Sequence, residues 1–235
     1  MPRLVDLSHA IEHGLETYRG LPPPIISEFM SRERSRGHYA AGTEFHIGKI
    51  EMVANTGTYL DSPFHRHEKG ADLAGLELER IADLEGVVVR HPFTGREAGR
   101  GADEPGRAID AAEFERAGEL RGRAVLVHTG WDVHWRTDRY FAGHPFLTEA
   151  AARRLVERGA ALVGIDSLNI DDTADGRRPV HTLLLAAGIP IVEHLTNLVA
   201  LPDPGSSGGR FRFFAVPPKV KAFGTFPVRA FARVG

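Results

Sequence analysis

The stretch Asn55-Thr56-Gly57-Thr58-Tyr59-Leu60-Asp61-Ser62-Pro63-Phe64-His65 decides how this chain is read, because it sets an amide, a phenol, a carboxylate and an imidazole around a fixed glycine and proline. If the stretch is extended, strand alternation places Asn55, Gly57, Tyr59, Asp61, Pro63 and His65 on one side and Thr56, Leu60 and Phe64 on the other, so the groups with chemistry converge. Pro63 stiffens the backbone between the carboxylate and the imidazole. The pattern predicts a site.

With Gly57, Thr58, Asp61, Pro63 and His65 in place, the stretch resembles the signature His-x-Gly-Thr-His-x-Asp-x-Pro-x-His of the cyclase family, metal-dependent hydrolases that include bacterial kynurenine formamidase and isatin hydrolase. Five of the seven fixed positions match, and the two metal-binding histidines of the pattern fall on Asn55 and Tyr59. Asp6-Leu7-Ser8-His9 and Thr17-Tyr18-Arg19-Gly20-Leu21-Pro22 look like the family's opening strand and its substrate-side loop, with Arg19 where a proline is usual. Thr129-Gly130-Trp131, Gly164-Ile165-Asp166-Ser167 and His181-Thr182-Leu183-Leu184 followed by Ile191-Val192-Glu193 look like later landmarks. The resemblance therefore spans nearly the whole chain.

A chain of 235 residues with 42% hydrophobic and 26% charged residues is long enough for a sizeable core and is expected to form one domain over residues 1–235. The 29 Lys and Arg against 31 Asp and Glu leave a net charge of -2, which gives no electrostatic reason to expect nucleic acid or an anionic membrane as partner. Without cysteine there is no disulfide, no thiolate nucleophile and no Cys-ligated zinc, so His, Asp, Glu and hydroxyls must carry any chemistry. The N-terminal residues lack the apolar core of a signal peptide, and no apolar run approaches the roughly 20 residues of a membrane span. A cytoplasmic protein is expected.

Short Val- and Ile-rich runs over residues 86–90, 124–128, 161–166 and 189–193 predict buried strands. Between them, Asp110 with Glu113 reads as a capping box for a helix over 111–120, and Thr148 reads as the cap of a helix that Gly159 ends. The opening third is punctuated by Gly and Pro. The expected class is therefore α/β, a mixed sheet flanked by helices, and the swivelling β/β/α architecture implied by the resemblance fits it. Residues 94–106 and 202–210 read as surface loops. Phe211, Phe213 and Phe214, alternating with Arg210 and Arg212, read as a strand near the C-terminus rather than a nucleic-acid platform.

His181 and Glu193 can meet only if the chain between them turns back. A helix over 182–187 advances about 9 Å, Gly188 breaks it, and a strand over 189–193 returns about 13 Å. The resemblance implies one metal position served by the two signature histidines with the signature Asp, and a second served by that Asp with the later His and Glu. Asp61, His181 and Glu193 remain, a set sufficient for one Zn or Mn ion with open positions. His65 then reads as the acid–base group, Tyr59 as a donor to an oxyanion, and Tyr18, Asn55 and Trp131 as substrate contacts. Taken singly, each has an ordinary alternative. Asp61 reads equally as a turn cap, His65 as a half-buried histidine, His181 as a first-turn helix residue, Glu193 as half of an ion pair and Trp131 as core. His67 and Glu68 read as a solvated turn.

The function implied is hydrolysis of an amide or cyclic amide C–N bond in a small aromatic molecule, arylformamidase-like and of the tryptophan and kynurenine catabolism type, by a homodimer or homotetramer. The alternative is a metal-free relative, a lyase, isomerase or small-molecule binding protein acting through Tyr59 and His65. A purely structural subunit has no positive feature in its favour.

Overall fold

The computed structural model describes residues 2–91, 106–203 and 210–235. Its strands are β1 (Arg3–Asp6), β2 (Ile25–Met30), β3 (Ile47–Glu51), β4 (Tyr59–Asp61), β5 (Leu84–Arg90), β6 (Ala108–Ile109), β7 (Ala124–His128), β8 (Phe146–Leu147), β9 (Leu162–Ile165), β10 (Ile191–Glu193), β11 (Phe211–Phe214), β12 (Thr225–Pro227) and β13 (Phe231–Val234). Its helices are α1 (Arg32–Ser35), α2 (Ala111–Glu115), α3 (Glu149–Glu157) and α4 (Pro179–Ala186). Two of the loops expected from sequence, 94–106 and 202–210, lie outside the described residues except at their ends.

Nine strands form one mixed sheet in the order β1-β13-β11-β5-β7-β9-β10-β4-β12. β5, β7, β9 and β10 run parallel at its centre, and the strands on either side are antiparallel. The centre falls where the sequence has unbroken Val, Ile and Leu runs, because a strand covered on both faces has no solvent side to supply with polar residues. Val87, Val125, Val163 and Ile165 face α3 and α4, packing with Leu155 and Leu184. Val88, Leu126 and Leu162 point the other way and pack with Phe211 and Phe213. Each such buried side chain contributes about 1.5–3 kcal/mol of hydrophobic stabilisation. The aromatic residues of β11 thus serve the core, with Phe214 stacked on Phe231 at 4.7 Å. Among the described residues no helix is long and apolar enough to cross a membrane.

The helices differ from their sequence reading at their ends. In α3 the Thr148 hydroxyl accepts from the Ala151 N–H at 3.1 Å, and Gly159 at φ +69 ends the helix, both as expected. α2 stops at Glu115, ahead of Gly118 at φ +73. Its capping box is not formed. Asp110 accepts from the Ala111 N–H at 2.8 Å, but the Glu113 carboxylate sits 3.5 Å from His91. α4 starts at Pro179, earlier than 182, since proline at the first helical position loses no hydrogen bond. Asp171 accepts the Val180 and His181 N–H groups at 2.8 and 3.0 Å and so caps the same turn. His181 is thereby fixed inside the helix.

The signature stretch is paired as a strand only over Tyr59–Asp61. After Ser62 the chain turns into a short 3-10 helix, Pro63–His65, closed by the His65 N–H bonding to the Ser62 carbonyl at 2.9 Å. A proline suits a helix start as well as an extended segment, and here the turn wins. His65 therefore reaches its place by a turn and not by strand alternation. The turn rests on Gly224, where a Cβ would lie 2.5 Å from the His65 Cα and 2.6 Å from its N. Gly224→Ala should accordingly lower the unfolding free energy by about 1–3 kcal/mol. In urea titrations Gly176→Ala is the control, since its Cβ would meet nothing within 4 Å, and its effect should stay within about 0.5 kcal/mol.

Candidate functional site

β4 lies between β10 and β12, and the registers of those two pairings build the site. Glu193 stands opposite Tyr59, and Thr225 stands opposite Asp61. Because Tyr59 and Asp61 share a face, all four side chains point to one side of the sheet. α4 then sets His181 over them, with its Nε2 3.7 Å from Asp61 Oδ2 and 3.7 Å from Glu193 Oε1. The turn brings His65 Nδ1 to 3.7 Å from Asp61 Oδ1. Donor atoms of Asp61, His65 and His181 lie within 4.8 Å of one another.

Hydrogen bonds fix how these groups are aimed. His181 Nδ1 meets Asp171 Oδ2 at 2.7 Å, which turns Nε2 toward Asp61 and Glu193. Glu193 Oε1 accepts from the Ile170 N–H at 2.6 Å, and Oε2 accepts from the Tyr59 hydroxyl at 2.7 Å. The Thr225 hydroxyl donates to Asp61 Oδ1 and also meets His65 Nδ1 at 2.7 Å. Since an ionised carboxylate has no proton to give, the single Thr225 proton goes to Asp61, and His65 must donate from Nδ1. The lone pair of His65 Nε2 is left for chemistry.

The phenol of Tyr59 heads a second, fully buried chain. Its oxygen lies 3.3 Å from His194 Nε2, and His194 Nδ1 lies 2.8 Å from the Tyr140 hydroxyl. With the Tyr59 proton on Glu193, the donors run Tyr140 to His194 to Tyr59 to Glu193. The hydroxyl expected to face an oxyanion is therefore committed to Glu193. Burial, then the Glu193 and Asp61 charges, hold Tyr59 well above the usual range, so it stays a phenol. Burial also pushes Glu193 up to about 7, with the Asp61 charge adding to it and His181 opposing. At His181 burial works against the charged form, but the Asp171 and Asp61 carboxylates with Glu193 outweigh it and raise the imidazole to about 10.

Above these groups lies a cavity of about 400 Å³, walled by Tyr18, Arg19, Asn55, Asn169 and Arg178, with Tyr59, His65, His181 and Glu193 also on its lining. Trp131 is not on its lining. It is buried with Tyr140 and Leu168, and its indole N–H donates to the Tyr140 carbonyl at 3.1 Å. The turn after the signature is more than solvated: Arg66 donates to the Thr182 hydroxyl at 3.1 Å, and His67 Nε2 meets the Thr182 carbonyl at 3.1 Å, which ties the turn to α4. Two distant landmarks also meet, as Asp166 accepts from the Thr129 N–H at 2.8 Å and the Gly130 N–H at 2.9 Å. Sequence reading missed Asp171, Thr225, His194 and Arg178. Only Thr225 carried a signal, its place after a glycine that the fold needs bare.

The donor set fits one divalent cation. Asp61 Oδ2 is buried without a hydrogen-bond partner, and it faces His181 Nε2 across a gap too long for a hydrogen bond. Two ligands each about 2.1 Å from one tetrahedral ion stand about 3.4 Å apart, close to that gap. Glu193 Oε1 keeps a second lone pair beside its bond from Ile170. Asn55 and the phenol of Tyr59 supply no comparable second set.

The sequence model of the Cyclase family matches residues 5–172. The kynurenine formamidase of Bacillus cytotoxicus is 25% identical, covering 97% of this chain and 96% of its own, and that of Bacillus cereus is 26% identical over the same shares. Isatin hydrolase A from Ralstonia solanacearum superposes with a TM-score of 0.79 at 22% identity, over 100% of this chain and 92% of its own. A structure described as a potential metal-dependent hydrolase with cyclase activity gives a TM-score of 0.72 at 23% identity, over 99% and 98%. These two structures share the mixed α/β fold.

Three histidines around the site are held neutral. Burial is the first cause in each, and it pushes His9 down to about 4, His144 to about 4 and His194 to about 3. An unfolded histidine takes a proton near pH 6.5, so below that value the unfolded state binds more protons and stability falls with pH. Glu193 and Asp166, pushed by burial up to about 7, take protons in the folded state over the same range and offset part of the loss. With three histidines against two acids, the urea midpoint is still expected to drop as pH falls from 6.5 toward 4. His144 alone accounts for about 3 kcal/mol of the loss. His144→Gln, which keeps an N–H for the Asp171 carbonyl that His144 Nε2 meets at 3.1 Å, should flatten the slope.

Proposed function

The chain belongs to the Cyclase family, and from that premise we propose that it hydrolyses an amide C–N bond of a small aromatic molecule, in the manner of an arylformamidase. The observation that carries this reading is the buried, unpartnered Asp61 Oδ2 facing His181 Nε2. The kynurenine formamidases that match nearly all of this chain support it.

Asp61, His181 and Glu193 would hold the cation, and His65 would move the proton. A zinc or manganese ion held there supplies Lewis acidity, which lowers the pKa of water and polarises a carbonyl. His65 is suited to proton transfer because Thr225 pins its Nδ1 and leaves Nε2 free, at a side chain 34% exposed and so in exchange with solvent. It takes a proton from the attacking water and returns it to the leaving nitrogen as the C–N bond breaks, giving a free amine and a carboxylic acid. Tyr59 holds Glu193 in place, and Asn55 with Tyr18 walls the substrate.

Protein purified without chelator should carry about one equivalent of metal, and N-formylkynurenine or a related formanilide should be hydrolysed faster with added Zn or Mn. His65→Ala should lower kcat by about 10²–10⁴ with little change in KM. Failure of any formamide, lactam or lactone to show metal-stimulated hydrolysis would overturn the reading. The metal-free alternative, favoured by the buried Tyr140–His194–Tyr59 chain, would then take its place.

The same chain of hydrogen bonds makes the two departures testable. Replacing Asn55 and Tyr59 together by histidine gives Asp61 two imidazole neighbours, which are far better zinc ligands than an amide or a phenol. The double variant should bind one more equivalent of metal than the parent. An unchanged count in a folded variant would mean that His194 and Tyr140 have reshaped the position.

A further inference from the structure

We infer that the molecule bound in this cavity carries a carboxylate close to its amide, and that Arg178 is the residue that reads it. The identity of the bond cut rests on the hydrolase reading; the recognition of charge rests on the wall of the cavity.

Two guanidinium groups border the cavity, and they differ in what neutralises them. Arg19 is exposed, paired with Asp138 at 2.7 Å and seated over the Phe141 ring at 4.9 Å. Arg178 is half-buried, and its guanidinium donates to the backbone carbonyl of Asp172 at 2.8 Å. The carboxylates nearest to it in sequence are already engaged, Asp172 with Arg107 at 3.8 Å and Asp175 with Arg177 at 2.8 Å. Among the described residues no carboxylate pairs with Arg178. Glu193, the acid on the cavity floor, has both oxygens hydrogen-bonded. A guanidinium has five N–H donors and stays charged at any physiological pH. Half-buried beside an open space, it lacks an anion.

Its backbone is held where a side chain is normally disfavoured. Arg178 has φ 49 and ψ 60, in the left-handed region. The conformation is held by Thr182, whose N–H and hydroxyl both bond to the Arg178 carbonyl at 3.0 and 2.8 Å. Strain that the surroundings maintain is a mark of a placed residue. Arg178 is rooted three positions before His181, roughly 5 Å along the helix axis. Arg178 and His181 line the same cavity of about 400 Å³, so a carbonyl near His181 and an anion at Arg178 can belong to one small aromatic molecule. The class that fits is an N-acylated aminoaryl carboxylate, bound by a two-pronged charged hydrogen bond.

Calorimetry with anthranilate and 2-aminobenzamide tests this, since the two are near-isosteric and set a carboxylate against a neutral carboxamide. The parent protein should bind anthranilate at least about tenfold more tightly. Arg178→Asn should abolish the preference without loss of fold, because asparagine accepts the left-handed region, and Arg178→Lys should keep part of it. Equal affinities in the parent, or a preference that survives in Arg178→Asn, would overturn the inference; if that variant does not fold, the comparison in the parent decides. Turnover is read apart from binding. Hydrolysis of formanilide with no preference for N-formylanthranilate removes Arg178 from recognition and leaves the hydrolase standing. Tight anthranilate binding with neither compound hydrolysed does the reverse.

Discussion

Asp61 and Glu193 are carboxylates at 0% and 1% exposure, and a buried carboxylate persists only where donors or a cation meet it. The rest of the site is arranged around that requirement. Thr225 answers one oxygen of Asp61, the Ile170 N–H and Tyr59 answer the two of Glu193, and His181 is held by Asp171 so that its remaining nitrogen faces both acids. The account does not close on protein groups alone. Asp171, Asp61 and Glu193 share one imidazole, and Glu193 is pushed to about 7, which means that near neutral pH a proton stands where a cation would otherwise serve. A divalent ion beside Asp61 Oδ2 would supply that charge and release the proton.

Tyr59 puts a phenol among buried carboxylates, and an unpartnered hydroxyl there would be costly. It has partners on both sides, and their direction is set by elimination. As a carboxylate Glu193 accepts, so Tyr59 gives it a hydrogen bond; His194 then gives from Nε2 and receives from Tyr140 at Nδ1. The result is a neutral, fully buried chain with one polarity. It rigidifies Glu193 without adding charge.

Much of the sheet is legible in the sequence because burial on both faces writes itself as unbroken apolar runs, as in β5, β7 and β9. The caps of α3 are local and equally plain. The site divides differently. Asp61, His65, His181 and Glu193 stand at positions set by the family signature and its later landmarks. Thr225 and Asp171 do not, since what brings Thr225 to Asp61 is the register of β12 on β4, more than 160 residues apart in sequence. No pattern within a window carries such pairing. Alternation also misplaced the cause of His65's position, because Pro63 is compatible with both an extended chain and a helix start. Trp131 was ambiguous for a related reason: an indole serves a core and a pocket wall alike, and the carbonyl of Tyr140 decided between them.

The division of labour across the fold follows from stiffness. The groups that would hold a cation and move a proton are rooted in β4, β10 and α4, or tied to β12, where ladders and caps fix them to within a rotamer. The groups that wall the cavity, Tyr18, Arg19, Asn55, Asn169 and Arg178, come from segments between those elements. A change on a connecting segment alters what is bound and leaves the sheet intact, whereas a change on β4 or β10 disturbs a buried charge with it. Arg19 follows that rule, standing on the segment between β1 and β2. Tyr59 breaks it and is tolerated because His194 and Tyr140 absorb its hydroxyl. Chemistry in this chain is therefore constrained by the register of the sheet, and the choice of substrate by what its connecting segments present.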